Sequence, residues 1–153
     1  MAVNVFPAAS SGDIWTLISS ATLTSGSTHT FSSISGYRKL RLAARRITSG
    51  ANANWLVRVN GDSGNKYMMN GPASSAGADA AEFRVANAAA VAGFMMDFPE
   101  ANQSVVQTFT GFTVAGNPSD GIFESAAAIT SLSLVLSANT FSAGTLYLYG
   151  VAA

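Results

Sequence analysis

The chain has no cysteine, which excludes disulfide staples and thiolate metal sites. It has one histidine, His29, so a zinc centre would need several carboxylates to complete its ligand set. Charge is scarce as well: Asp, Glu, Lys and Arg form 10% of the chain, against about 25% in an average soluble domain. The 8 basic and 8 acidic residues cancel. A neutral chain lacks the basic excess of nucleic-acid binders, so no nucleic-acid partner is expected. Long apolar runs are also missing. The longest, "VANAAAVAGFMM" (Val85 to Met96), falls short of the about 20 residues that a bilayer-spanning helix needs, and no membrane partner is expected. The opening "MAVNVFPAASSGD" has no basic leader and is interrupted by Pro7, which argues against a secretion signal.

What the chain does have is apolar mass. Hydrophobic residues make up 48% of its 153 residues. So apolar and weakly charged a chain is a poor free monomer, which implies that other copies or a larger assembly cover part of its surface. The length fits one domain that buries about 70% of its unfolded surface. The expected organisation is an N-terminal arm over 1–12 and a β-sandwich domain over 13–153.

Most of the chain reads as period-two segments separated by Ser, Gly, Asn and Ala clusters. "DIWTLISS" alternates Trp15 and Leu17 against Ile14 and Ile18. "STHTFSSI" places His29 and Phe31 on one face. "YRKLRLAARRIT" sets Leu40, Leu42 and Ala44 inward, with Lys39, Arg41 and Arg45 outward. "NWLVRVNGDSGNKYMMN" reads as a hairpin: Trp55, Val57 and Val59 share a face, Asn60-Gly61 turns the chain, and Tyr67 and Met69 begin the return. Gly71 to Ala80 reads as a loop, and "AEFRVA" as a short strand with Phe83 and Val85 inward. In "NAAAVAGFMMDF" the Phe end is expected as strand and the alanine end as loop or helical turn. "SVVQTFTGFTV" reads as a long strand with Gly111 a candidate bulge, and "AGNPSDG" as a loop. "AITSLSLVLS" aligns Leu132, Leu134 and Leu136. With no strand–helix alternation, these eight or nine strands predict an all-β fold: an antiparallel, jelly-roll-like β-sandwich of about eight strands in a single domain.

The last strand, "GTLYLYGV", alternates strictly, yet both sets are largely apolar. Leu146 and Leu148 fit the core. Tyr147 and Tyr149, followed by Val151, are candidates for a contact with a neighbouring subunit, because tyrosine buries its ring while satisfying its hydroxyl. Cover by a loop of the same chain is the alternative for this face.

Three stretches carry a family resemblance: "DIWTLISSATLTSGSTHTFSSISGYRKLRL", "VRVNGDSGNKYMM" and "AAAITSLSLVLSANTFSAGTLYLYGV". A Trp opens the first strand. Phe31, Ile34, Tyr37, Arg38, Leu40 and Leu42 follow, then Asn60, Gly61, Asp62 and Tyr67. The end runs from Ala128 to Ser131, then Gly144, Thr145 and Leu148 to Gly150. The sequence resembles the small β-sandwich modules of tailed-bacteriophage virions: capsid decoration (cement) proteins, head fibres and tail-fibre tips. The likeness covers roughly half the chain and omits Gly71 to Pro118. It implies a homotrimer without catalytic activity or cofactor, made in the bacterial host cytoplasm and placed on the virion surface, with the major capsid protein as partner. The chain opens with Met1 and one module nearly fills it, which favours a standalone decoration protein over a fibre fragment. A fibre-tip module that binds host polysaccharide is the alternative. Trp15 and Trp55, both expected in the core, count against it.

Catalytic motifs fail in context. "GDSG" (Gly61 to Gly64) lacks the preceding Asp of a His–Asp–Ser order. "NGDSGN" lacks the spaced carboxylates and closing Glu of a calcium loop, and reads as an Asx-type turn. The acidic residues are scattered, so no glycosidase pair is legible, and the chain is not expected to be an enzyme. Five of the 8 basic residues fall between Arg38 and Arg46. Lys39, Arg41 and Arg45 are therefore the candidate face, either solvated or docked on an acidic capsid shell.

Overall fold

The computed structural model describes residues 12–50, 53–70, 75–78, 81–83, 92–113 and 118–153. The fold is all-β, built from antiparallel sheets. Among the described residues there are twelve strands: β1 (Thr16–Thr22), β2 (Thr28–Phe31), β3 (Tyr37–Ser49), β4 (Trp55–Val59), β5 (Tyr67–Asn70), β6 (Ser75–Ala78), β7 (Ala81–Phe83), β8 (Ala92–Phe98), β9 (Val106–Thr113), β10 (Pro118–Ala126), β11 (Leu132–Leu136) and β12 (Phe141–Ala152).

Eight of them make a jelly roll. The chain passes back and forth between a large sheet, which holds β1-β12-β3-β8, and a small sheet, β2-β11-β4-β7. In each sheet a late strand slots between two early ones, which interlocks the two halves of the chain. The remaining four strands extend the large sheet beyond β8 in the order β9-β10-β5-β6. The expectation of about eight strands thus matches the jelly roll itself, and the extension accounts for the excess.

The alternations in the sequence set the layers. Leu40, Leu42, Leu146 and Leu148 of the large sheet and Val57, Leu132 and Leu134 of the small sheet are buried between them. Trp55 of β4 meets Phe94 of β8 across the gap, ring centroids 5.9 Å apart. Under the extension, Tyr67 stacks on Phe123 at 4.8 Å. All of these belong to one continuous core.

Several expectations are corrected. The hairpin after Val59 does not form between β4 and β5, which lie in different sheets. Asn60 and Gly61 do take positive φ (54° and 68°), and Asp62 N–H donates to Val59 O at 3.0 Å. The chain then crosses over. The Tyr67 hydroxyl accepts the Val59 N–H at 2.8 Å, while Val59 stays in register with Leu132 of β11. The Gly71 to Ala80 loop contains β6, and "AGNPSDG" runs into β10. Gly121 in that stretch is a close-approach glycine: a Cβ there would stand 2.1 Å from Met68 O. Gly111 pairs regularly with Met96 and Ser119, and β10 is irregular between Phe123 and Ala126 instead. Trp15 is only half buried, before β1 begins, and not in the core. Residues 1–11, the alanine end at 84–91 and the inward Val85 lie outside the described residues.

Candidate contact face of the large sheet

The outward side chains of the large sheet stand in rows set by strand register. Leu17, Tyr149, Arg41, Asp97, Thr110 and Asp120 face one another in sequence across six strands. The adjacent row is Ser20, Tyr147, Ala43, Met95 and Phe112. Arg41 and Asp97 are direct cross-strand partners, which lets the guanidinium fork meet the carboxylate twice: Nε to Oδ1 and an Nη to Oδ2, both 2.6 Å. Trp15 covers this pair, with the guanidinium carbon 4.5 Å from the ring centroid. The hydrogen bonds that Arg41 donates to Asp97 hold its guanidinium above its usual pKa, against a smaller opposing effect of burial. Tyr147 and Tyr149, two apart on β12, stack at 6.1 Å with an interplanar angle of 25°.

The same face carries most of the exposed apolar surface. Leu17 is 54% exposed, Phe112 52%, Val106 46% and Met68 41%. Val106 and Phe112 have the opposite parity to buried Gln107 and Phe109 on β9, and Met68 alternates with buried Tyr67 and Met69. Among the described residues, the other large exposed apolar side chains are Ile14 and Val105, both outside strands.

The residues singled out by sequence separate into two groups. Lys39 and Arg38 both bind the Asp13 carboxylate, Arg38 at 2.6 Å. Those two partners, Lys39 first, hold the Asp13 carboxyl below its usual pKa. Arg41 is paired with Asp97. Arg45 is exposed, as is Arg46 beside it, and neither side chain has an ion pair or hydrogen bond among the described residues. The basic run is therefore neutralised at one end and open at the other. Tyr147 and Tyr149 are half-buried, partly by each other. Val151 is buried within the chain at 4% exposure, so it offers a neighbour almost nothing.

The sequence reading left out Asp97, Leu17, Met68, Val106, Phe112 and Arg46. Strand parity holds part of that signal. Phe109 and Phe112 are three apart and cannot share a face of a regular strand, so one of them had to point outward. Asp97 lies between inward Met96 and Phe98, which also sends it out. Its pairing with Arg41 depends on register between distant strands, which no local pattern carries.

No catalytic or metal constellation accompanies this face. Among the described residues no three His, Asp or Glu side chains gather to hold an ion. Asp62 is occupied by its own turn: Oδ1 accepts from Gly64 N–H at 2.8 Å and Oδ2 from Lys66 Nζ at 2.6 Å. Lys66, and then the Gly64 amide, hold its carboxyl below the usual pKa. His29 lies at the partly open seam between edge strands β1 and β2, edge-on to Phe31 at 4.9 Å.

No family model and no curated protein matches the sequence. Among solved structures, 39 chains are similar. The exo-inulinase of Aspergillus awamori aligns at TM-score 0.49 and 14% identity, covering 90% of this chain and 29% of the inulinase. The galectin LEC-6 of Caenorhabditis elegans aligns at TM-score 0.43 and 11% identity, covering 84% of this chain and 94% of the galectin. The chain thus spans less than a third of the length of the inulinase it resembles.

Proposed function

We propose that this protein is a structural component of a tailed-bacteriophage virion, a homotrimeric decoration protein that binds the outer surface of the head and stabilises it. The observation that carries the proposal is that exposed Leu17, Met68, Val106 and Phe112, on three strands of the large sheet, all stand on its outer face. A face of that kind is suited to burial against protein. Its action is contact area rather than chemistry. Each copy that binds the assembled shell, and not its loosened form, adds stability by mass action. The resemblance of the two ends and the middle of the chain to phage virion modules supports the same reading.

Copy number in purified virions tests the proposal. A decoration protein is present at on the order of hundreds of copies, because the shell repeats its binding point by symmetry. The isolated protein should have three times the 15.7 kDa chain mass. A monomer at assay concentration, or absence from the particle, overturns the proposal.

A second reading, a head- or tail-fibre tip that binds host polysaccharide, is favoured by one observation. Trp15 lies outside the core against Arg41 and near the outer tyrosines, which removes the objection that both tryptophans are interior. Tens of copies or fewer per particle would select it.

A further inference from the structure

At the far end of β3 the sheet carries a defect with a chemical consequence. Between the pairs Thr145–Arg45 and Ala143–Thr48, β3 has two residues, Arg46 and Ile47, where β12 has one, Gly144. Arg46 takes φ 54° and Gly144 φ 118°. A Cβ on Gly144 would stand 2.5 Å from the Ile47 Cα, so the two strands close tightly at this point. The extra residue lets Ile47 return to the core, and it leaves two consecutive arginines exposed. In a regular strand, neighbours point to opposite faces. Here both line the same groove with Tyr147, Thr145 and Thr22. A left-handed backbone at a residue that is neither Gly nor Asn costs about 1–3 kcal/mol, and such costs cluster at functional sites.

We propose that this notch binds an acidic sugar, a uronate or sialate unit, with the sugar carboxylate on Arg45 and Arg46 and the pyranose against Tyr147. Three observations support it. Arg38, Lys39 and Arg41 are spoken for by Asp13 and Asp97, whereas Arg45 and Arg46 have no such partner among the described residues. Guanidinium forks match a planar carboxylate, and two unpaired ones in the same groove make an anion site in a chain of zero net charge. The groove, of about 340 Å³, has room for one or two sugar rings and joins that anion site to an aromatic ring and two threonines, which suit the apolar face and the hydroxyls of a sugar. An acidic peptide fits less well. β12 is an inner strand, and at the notch Gly144 O already accepts the Leu23 N–H at 2.9 Å, which leaves β12 no free edge there for a peptide backbone to join.

The inference goes beyond the decoration reading and does not rest on it. Tyr147 also belongs to the outward rows of the large sheet, but the titration uses the isolated protein, so failure here leaves the virion copy number untouched. The assay is calorimetric or NMR titration with trigalacturonate and with sialyllactose, with maltotriose and penta-glutamate as comparators. Binding of an acidic sugar in about the millimolar range or tighter is expected. Arg45→Gln with Arg46→Gln should weaken it about tenfold, and Tyr147→Ala about fivefold. Lys39→Gln removes one positive charge outside the notch and should leave binding unchanged. If the double variant does not fold, Arg45→Lys keeps the charge, loses the fork and should still weaken binding. The proposal fails if neither acidic sugar binds, if a folded double variant binds as the parent does, or if maltotriose or penta-glutamate binds equally well.

Discussion

The outer faces of the two sheets cover the same core with the same alternation, yet they present different chemistry. The small sheet shows rows of short or partly shielded side chains: Thr30, Ser133 and Arg58 in one, Thr28, Val135 and Leu56 in the next. Thr30 and Ser133 satisfy each other across the strands at 2.9 Å. The large sheet shows stacked tyrosines, an arginine–aspartate pair under a tryptophan, and four large apolar side chains open to solvent. Both faces carry few charges. Low charge is therefore a property of the whole chain and does not say where a partner sits. Exposed apolar bulk does, and among the described residues it avoids the small sheet.

Breaking the width of the large face should have the largest effect. Gly121→Ala drives a Cβ onto Met68 O, 2.1 Å away, and onto the Phe109 ring at 2.7 Å. Only separation of β5 from β10 relieves that contact. Urea unfolding should register a loss of about 3 kcal/mol, and assembly should fail with it because β5 carries Met68. Unchanged stability would mean that β5 is not held where the structure places it.

Charge placed on each face sharpens the contrast. Phe112→Asp and Leu17→Asp should each weaken self-association about thirtyfold, as loss of a central apolar anchor does. Their monomer stability should change by no more than about 0.5 kcal/mol, since both side chains are exposed. Thr28→Asp on the small sheet should leave the assembly intact. Sedimentation of the three variants decides it, and dissociation of the Thr28 variant alone would reverse the comparison.

These two faces also divide what a single sequence can tell. The jelly-roll strands were legible because Trp55, Val57 and Val59, or Leu132, Leu134 and Leu136, leave one choice of inner face. The extension was not. Asn60 and Gly61 have the local geometry of a hairpin turn, but Tyr67 takes the Val59 N–H and stacks on Phe123 of β10. That tertiary packing overrides the turn. β10 itself begins in Pro, Ser, Asp and Gly, residues that argue for a loop, and only a contact from a distant strand makes Gly121 necessary. Trp15 misled for a related reason: "DIWTLISS" is apolar on both parities, so alternation cannot choose, and the deciding partner, Arg41, is far along the chain. On the face, Arg41 and Lys39 looked alike in the sequence. Register gives Arg41 to Asp97, the segment before β1 brings Asp13 to Lys39, and Arg45 is left open.

A smaller effect probes how the large face is held. Arg41→Lys keeps the positive charge but loses the two-point contact with Asp97 and the flat stack on Trp15. The expected cost is about 1 kcal/mol. It should come with greater acrylamide quenching of Trp15 and no change at buried Trp55, which separates loosening of the face from loosening of the core. Equal quenching of both would place the damage in the core.

The smallest effect belongs to the seam where the two faces meet. Burial alone pushes the His29 imidazole below the 6.5 of a free side chain. Desolvation penalises the cation, so the unfolded chain binds this proton more readily than the folded one. Stability linked to His29 is then fully present above about pH 6.5 and is lost as pH falls from there through the lowered folded value. His29→Gln should flatten that part of the profile, seen as a smaller drop in urea midpoint between about pH 7.5 and 5 than the parent shows. Asp13 and Asp62 do not interfere in that window. Their carboxyls are held below the usual 3.8 by Lys39, Arg38 and Lys66, so what they contribute is lost only at more acid pH. A parent profile already flat across the window, or a variant that falls as steeply, would show that the seam admits enough water around His29 to cancel the cost of its charge.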